Sequence, residues 1–93
     1  MKSPVKKLLE AHRELIHMEM QKVASHVQRN EKNSEWIINT ITIEGYDVPF
    51  RFKRKTEYRN LKGARVNLTY YASVESVAGF DIEFMNVVRI KKS

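Results

Sequence analysis

The chain has 93 residues and a formal charge of +6, from 17 Lys/Arg against 11 Asp/Glu, with no cysteine. Disulfides, thiolate metal sites and cysteine nucleophiles are thereby set aside, and no apolar run approaches the roughly 20 residues of a membrane span. One domain over residues 1–93 is expected, soluble and cytoplasmic, since the opening MKSPVKKLLEAH has charges where a signal peptide needs a continuous apolar stretch.

Ser3-Pro4 suits a helix start, with Ser as N-cap and Pro at the first helical position. From there to about Asn30 there is no Gly or Pro, and Val5, Leu8, Leu9, His12, Leu15, Ile16, Met20, Val23, Ala24 and Val27 recur at steps of three and four. That spacing predicts one long amphipathic helix within residues 1–32. Some 27 helical residues span about 40 Å, longer than the roughly 30 Å body of a domain this size. The excess length favours a homodimer through the stripe Leu8, Leu9, His12, Ile16, Met20 and Val23.

After the polar QRNEKNSE the period changes to two. Ile37, Ile41 and Ile43 share one strand face. Glu44-Gly45-Tyr46-Asp47 is a turn, and Val48, Phe50 and Phe52 then alternate with Pro49, Arg51 and Lys53. Ala64, Val66, Leu68 and Tyr70 alternate with Arg65, Asn67, Thr69 and Tyr71. A last strand carries Phe80, Ile82, Phe84, Val88 and Ile90 on one phase, and Asn86 on that same phase points to a bulge or a bend there. Residues 73–79 can close a hairpin between these two strands, in a register that sets Val66 against Val88, Tyr70 against Phe84 and Arg65 against Arg89. The expected class is α+β: the long N-terminal helix, then four or five antiparallel strands over residues 35–93, curled into a small OB- or SH3-like barrel.

Charge is the most informative pattern. Residues 1–50 carry seven Lys/Arg and seven Asp/Glu, and residues 66–93 carry three of each, so both balance. Residues 51–65 carry seven cations against Glu57 alone, and supply the whole surplus. Such a run also reads as a merely solvated face. Alternation nevertheless turns Arg51, Lys53 and Lys55 outward about 7 Å apart. Tyr58, Arg59, Lys62, Arg65 and Tyr71 follow, and cations beside aromatic rings are what a single-strand binder requires. The expected site is therefore a polyanion-binding face of these eight residues, meeting nucleic acid or an acidic protein surface.

Other chemistry finds little support. His12, His17 and His26 are spaced five and nine apart, which diverge around a helix and do not make a metal pair. Gly45, Gly63 and Gly79 are isolated, so no phosphate-cradling loop forms, and there is no nucleophile elbow. Asp81 and Glu83 read as charge partners of Arg65 and Arg89 rather than an acid–base pair, and a cleft near Asp81, Glu83 and Arg65 is the residual enzymatic reading. A non-enzymatic binding module without metal, cofactor or catalytic residues is the expectation, and a structural module that homodimerises through its helix is the alternative.

Overall fold

Residues 16–30, within the segment expected to be helical, are an extended strand. The computed structural model describes residues 14–93, and its elements are β1 (Ile16–Asn30), β2 (Ile37–Ile43), β3 (Phe50–Arg54), β4 (Arg65–Val77) and β5 (Phe80–Lys92), with no helix among the described residues. The α+β expectation is corrected to an all-β fold. The proposed N-cap at Ser3 and the stripe residues Leu8, Leu9 and His12 lie outside the described residues. Of the rest of that stripe, Val23 is buried inside the sheet while Ile16 and Met20 are exposed, so these three do not share a helix face.

Two bulges explain why β1 imitates a helix. Its pairing shifts register between Met18 and Gln21, where Met20 adopts a left-handed φ of 57°, and again between Val23 and Ser25. The residues opposite the inward-facing Leu68, Val66, Ile43, Ile41 and Asn39 are Met18, Gln21, Val23, His26 and Gln28. They step by three, two, three and two. Each bulge inserts one residue, so a strand's period of two stretches toward the spacing of a helix.

The bulges also let β1 serve two neighbours. Its first half pairs with β4, from Ile16 opposite Tyr70 to Lys22 opposite Arg65. Its second half pairs with β2, from Val23 opposite Ile43 to Asn30 opposite Ile37. The sheet runs β1-β2-β3-β5-β4 and closes on β1 as a barrel. The crossover between β3 and β5 is a short parallel contact, Phe50 opposite Met85 and Arg51 opposite Asn86, extended by the Met85 amide donating to the Pro49 carbonyl at 2.8 Å.

Inside the barrel lie Val23, Ile41, Ile43, Phe50, Phe52, Val66, Leu68, Tyr70, Val87 and Ile90. Phe50 and Tyr70 meet edge to face at 4.9 Å. Leu61, from the connection between β3 and β4, is buried with them. That connection is fastened to β1: the Gly63 amide donates to the Val23 carbonyl at 2.8 Å and the Val23 amide to the Ala64 carbonyl at 2.9 Å. The Gln28 side chain holds Tyr58 from both sides, donating to its carbonyl and accepting from its amide.

Asn39, fully buried, is the polar member of the interior. Its Oδ1 accepts from His26 Nε2 at 2.8 Å, while His26 Nδ1 accepts the Leu61 amide proton at 2.9 Å. The two bonds fix one neutral tautomer of His26. They tie β1, β2 and the connection together at one point.

The β4–β5 hairpin differs from its expected register. Val66 faces Lys92, Tyr70 faces Val87 and Tyr71 faces Asn86, and Arg89 lies opposite Thr69 instead of Arg65. The shift falls between Thr69 and Tyr70, where Val88 is left out of the pairing. It inverts the phase of β5: Val87 and Ile90 point inward, whereas Phe80, Ile82 and Phe84 fall on the outer side with Asn86. Beyond Tyr71 and before Met85 the pair has no third strand among the described residues, so 72–77 and 80–84 form a two-stranded ribbon. It ends in a two-residue turn, Ala78-Gly79, with φ of 50° and 84°. No helix among the described residues is long and apolar enough to cross a membrane.

Candidate functional site

The cations of residues 51–65 are divided among three places. On β3, Phe50 and Phe52 turn inward and Arg51 and Lys53 outward, as alternation requires. Each has acquired a carboxylate. Arg51 Nη1 donates to Glu75 at 2.6 Å, and its guanidinium carbon lies 4.4 Å from the Phe84 ring centre. Lys53 Nζ lies 3.0 Å from Glu31. The hydrogen bond from Arg51 holds the Glu75 carboxyl below the usual carboxylate range, with further help from Arg29 and Lys53. The hydrogen bond from Lys53 does the same for Glu31.

The second group sits on the connection. Lys55 lies 5.4 Å over the Trp36 ring. Tyr58 packs against Phe52, ring centres 5.3 Å apart, and Arg54 lies over both rings. This tyrosine is partly buried at the interior's edge. Arg59 and Lys62 are exposed, and the Lys62 amide is held by the Asn60 side chain at 2.9 Å.

Arg65 and Tyr71 form the third group, outward on β4 with Asn67 and Thr69 between them. Strand β5 separates β4 from β3 in the sheet, so Arg65 and Arg51 are on different walls. Arg65 Nη1 donates to the Met20 carbonyl at 3.1 Å, across on β1. Tyr71 is bonded to Asn86. The eight expected residues therefore do not make one footprint. Asp81 and Glu83 lie opposite Ser76 and Val74 on the ribbon, at the other end of the hairpin from Arg65, so the residual enzymatic cleft does not assemble.

What the barrel does gather is a wall the sequence count concealed. Lys22 on β1 lies opposite Arg65 on β4; Asn67 on β4 lies opposite Lys91 on β5; His17, Thr69 and Arg89 form one row across all three strands. Lys22, Arg65, Arg89 and Lys91 are exposed on this outer face. Lys22 is 3.7 Å from Glu44, and Glu19 binds His17 at 3.3 Å. Arg65, Arg89 and Lys91 make no ion pair among the described residues. Between them is a cleft of about 200 Å³ lined by His17, Glu19, Asn67, Thr69, Arg89 and Lys91. Thr69 Oγ1 is 3.0 Å from His17 Nδ1, and the Met20 amide donates to Asn67 Oδ1 at 2.9 Å, which holds the lining in place.

Residues 66–93 carry three charges of each sign, but the signs are separated along the hairpin. Glu75, Asp81 and Glu83 ride on the ribbon, while Arg89, Lys91 and Lys92 lie at the barrel end. The signal that finds this wall is the position of each charge along its strand, which a count by segment averages away.

This geometry can hold phosphates or other anionic groups by charge-assisted hydrogen bonds. No protein-family model, no curated protein and no solved structure matches the chain.

Proposed function

We propose that this is a non-enzymatic binding module whose β1–β4–β5 wall contacts nucleic acid or another polyanion. The observation that carries the reading is the placing of Lys22, Arg65, Arg89 and Lys91 on three adjacent strands, three of them without a carboxylate partner among the described residues. Neighbouring strands are about 4.8 Å apart and alternate residues about 7 Å, so these cations meet a chain of phosphates as a group. A net charge of +6 adds long-range attraction. Phosphate contacts of this kind position a strand without reading its sequence. The same reading places the protein in the cytoplasm, where nucleic acids are met.

The test is fluorescence anisotropy of labelled (dT)15 across a salt series. Each phosphate contact contributes about −0.7 to the slope of log affinity against log salt. Arg89→Glu with Lys91→Glu is expected to weaken binding at least tenfold at physiological salt. Unchanged affinity in a variant that melts like the parent overturns the proposal.

A further inference from the structure

The ribbon continues the outer face of this wall but has a different chemistry. Running out along β4 and β5, the outward residues pass from Arg65, Lys91 and Arg89, through Tyr71 and Asn86, to Phe84, Ile82, Val77 and Phe80. Phe80 is 74% exposed, and Ile82 and Val77 are exposed beside it. A ring so open at a hairpin tip, with Val77 and Ile82 beside it, is not core and leaves apolar surface free for contact. The one charged pair reaching this face, Arg51 and Glu75, cancels within itself. The face thus offers flat apolar contact and no spare positive charge.

We infer that the polyanion is a single-stranded nucleic acid, its phosphates on the barrel wall and its bases against the ribbon at Phe80. This deepens the reading proposed above and rests on it. A duplex keeps its bases stacked inside and a polyphosphate has none, whereas a single strand presents both phosphates and open bases and so satisfies both halves of the face. Arg89 and Phe80 are nine residues apart along β5, about 30 Å. The ligand must therefore be long enough to bridge them.

Three probes separate the outcomes: (dT)15, a self-complementary hairpin duplex of equal charge, and heparin. The parent is expected to prefer (dT)15 over the duplex. Phe80→Ser is expected to weaken (dT)15 by about 5- to 150-fold, the range for loss of one base–aromatic stack. Heparin affinity should change less than twofold, and Phe80→Trp should restore (dT)15 binding. Because the side chain is mostly solvent-exposed, the melting temperature of Phe80→Ser should stay close to the parent's. If Phe80→Ser leaves (dT)15 unchanged, or the duplex binds as well as (dT)15, the inference is overturned while the wall reading survives. A ribbon serving a protein partner would give that result. If neither (dT)15 nor heparin binds the parent, both readings are overturned together.

Discussion

Arg51 joins Glu75 at 2.6 Å while its guanidinium lies 4.4 Å from the Phe84 ring centre. Arg51 belongs to the barrel, and both of its partners belong to the β4–β5 pair where it leaves the barrel. One side chain therefore links the barrel to the ribbon. A cation against a ring and a charge-assisted hydrogen bond together outweigh either alone, though Glu75 is about half exposed and solvent screens the pair. Arg51→Met is expected to release the ribbon while sparing the core. Amide exchange over residues 73–83 should speed up about three- to tenfold, with barrel amides unchanged. Ribbon protection equal to the parent's would show that backbone pairing alone holds it.

The same pair and its neighbour give the fold a defined response to acid. Glu75 and Glu31 are both held below the usual carboxylate range, chiefly by hydrogen bonds from Arg51 and Lys53. A carboxyl whose folded pKa is depressed stabilises the fold fully above its unfolded pKa. That contribution is lost as pH falls through the folded value. The melting temperature should hold near neutrality and decline below about pH 4.5, where free glutamate begins to protonate. Glu31→Gln with Glu75→Gln should flatten that decline. An acid limb as steep as the parent's would place the responsible carboxylates elsewhere.

Much of the barrel can be read in the chain, and the failures have physical causes. Phe50 and Phe52 on β3, and Val66, Leu68 and Tyr70 on β4, point inward as their alternation says, because those stretches carry no bulge. In β1 the bulges at Met20 and Ala24 distort the period, and closure of the barrel gives both its edges hydrogen-bonding partners that no local pattern reveals. In β5 a bulge was expected at Asn86 and falls at Val88. That one extra residue turns Phe80, Ile82 and Phe84 outward while Ile90 stays in. The cationic site was hidden for another reason. Counting charge by segment treats neighbours in sequence as neighbours in space, but Arg51 and Arg65 end on different walls while Lys22 and Arg65 meet.

His26 is the joint whose removal should cost the most for its size. It donates to buried Asn39 and accepts from the Leu61 amide. His26→Leu keeps the volume and leaves both the Asn39 oxygen and the Leu61 N–H without partners. An unsatisfied buried polar group costs about 1–3 kcal/mol, so a loss of about 2–5 kcal/mol is expected in urea unfolding. A further change of Asn39→Leu should recover part of it, since a paired apolar replacement removes the stranded acceptor. A loss below about 1 kcal/mol for His26→Leu would mean that water takes over these bonds.

The ribbon's turn is under strain that a single substitution can relieve. Ala78 has a φ of 50°, a left-handed conformation that costs a non-glycine residue roughly 1–2 kcal/mol, and Gly79 follows at 84°. Positive φ at both central residues is the turn that Asn-Gly adopts most readily. Ala78→Asn should raise stability by about 0.5–1 kcal/mol and slow exchange at the hairpin tip. It leaves the wall's cations untouched, so binding of heparin should not move. A destabilised Ala78→Asn would show that the turn is not of this type.

Two paired substitutions decide where the binding charge resides. Lys53 already has Glu31 at 3.0 Å and Lys55 lies over Trp36, both away from the β1–β4–β5 wall. At physiological ionic strength the screening length is about 8 Å, and the Lys53 charge is already offset by Glu31. Lys53→Gln with Lys55→Gln should therefore change (dT)15 affinity less than twofold. It should leave the salt slope within about 0.5 of the parent's. Arg89→Gln with Lys91→Gln removes two cations from the wall that make no ion pair among the described residues, and should reduce the slope by about 1.4, two contacts' worth for a single strand. The comparison uses neutral replacements on both sides, so a general loss of positive charge affects the two variants alike. If the Lys53 and Lys55 pair proves the more costly, the strand lies along β3, and Glu31 and Glu75 must give way to let it bind.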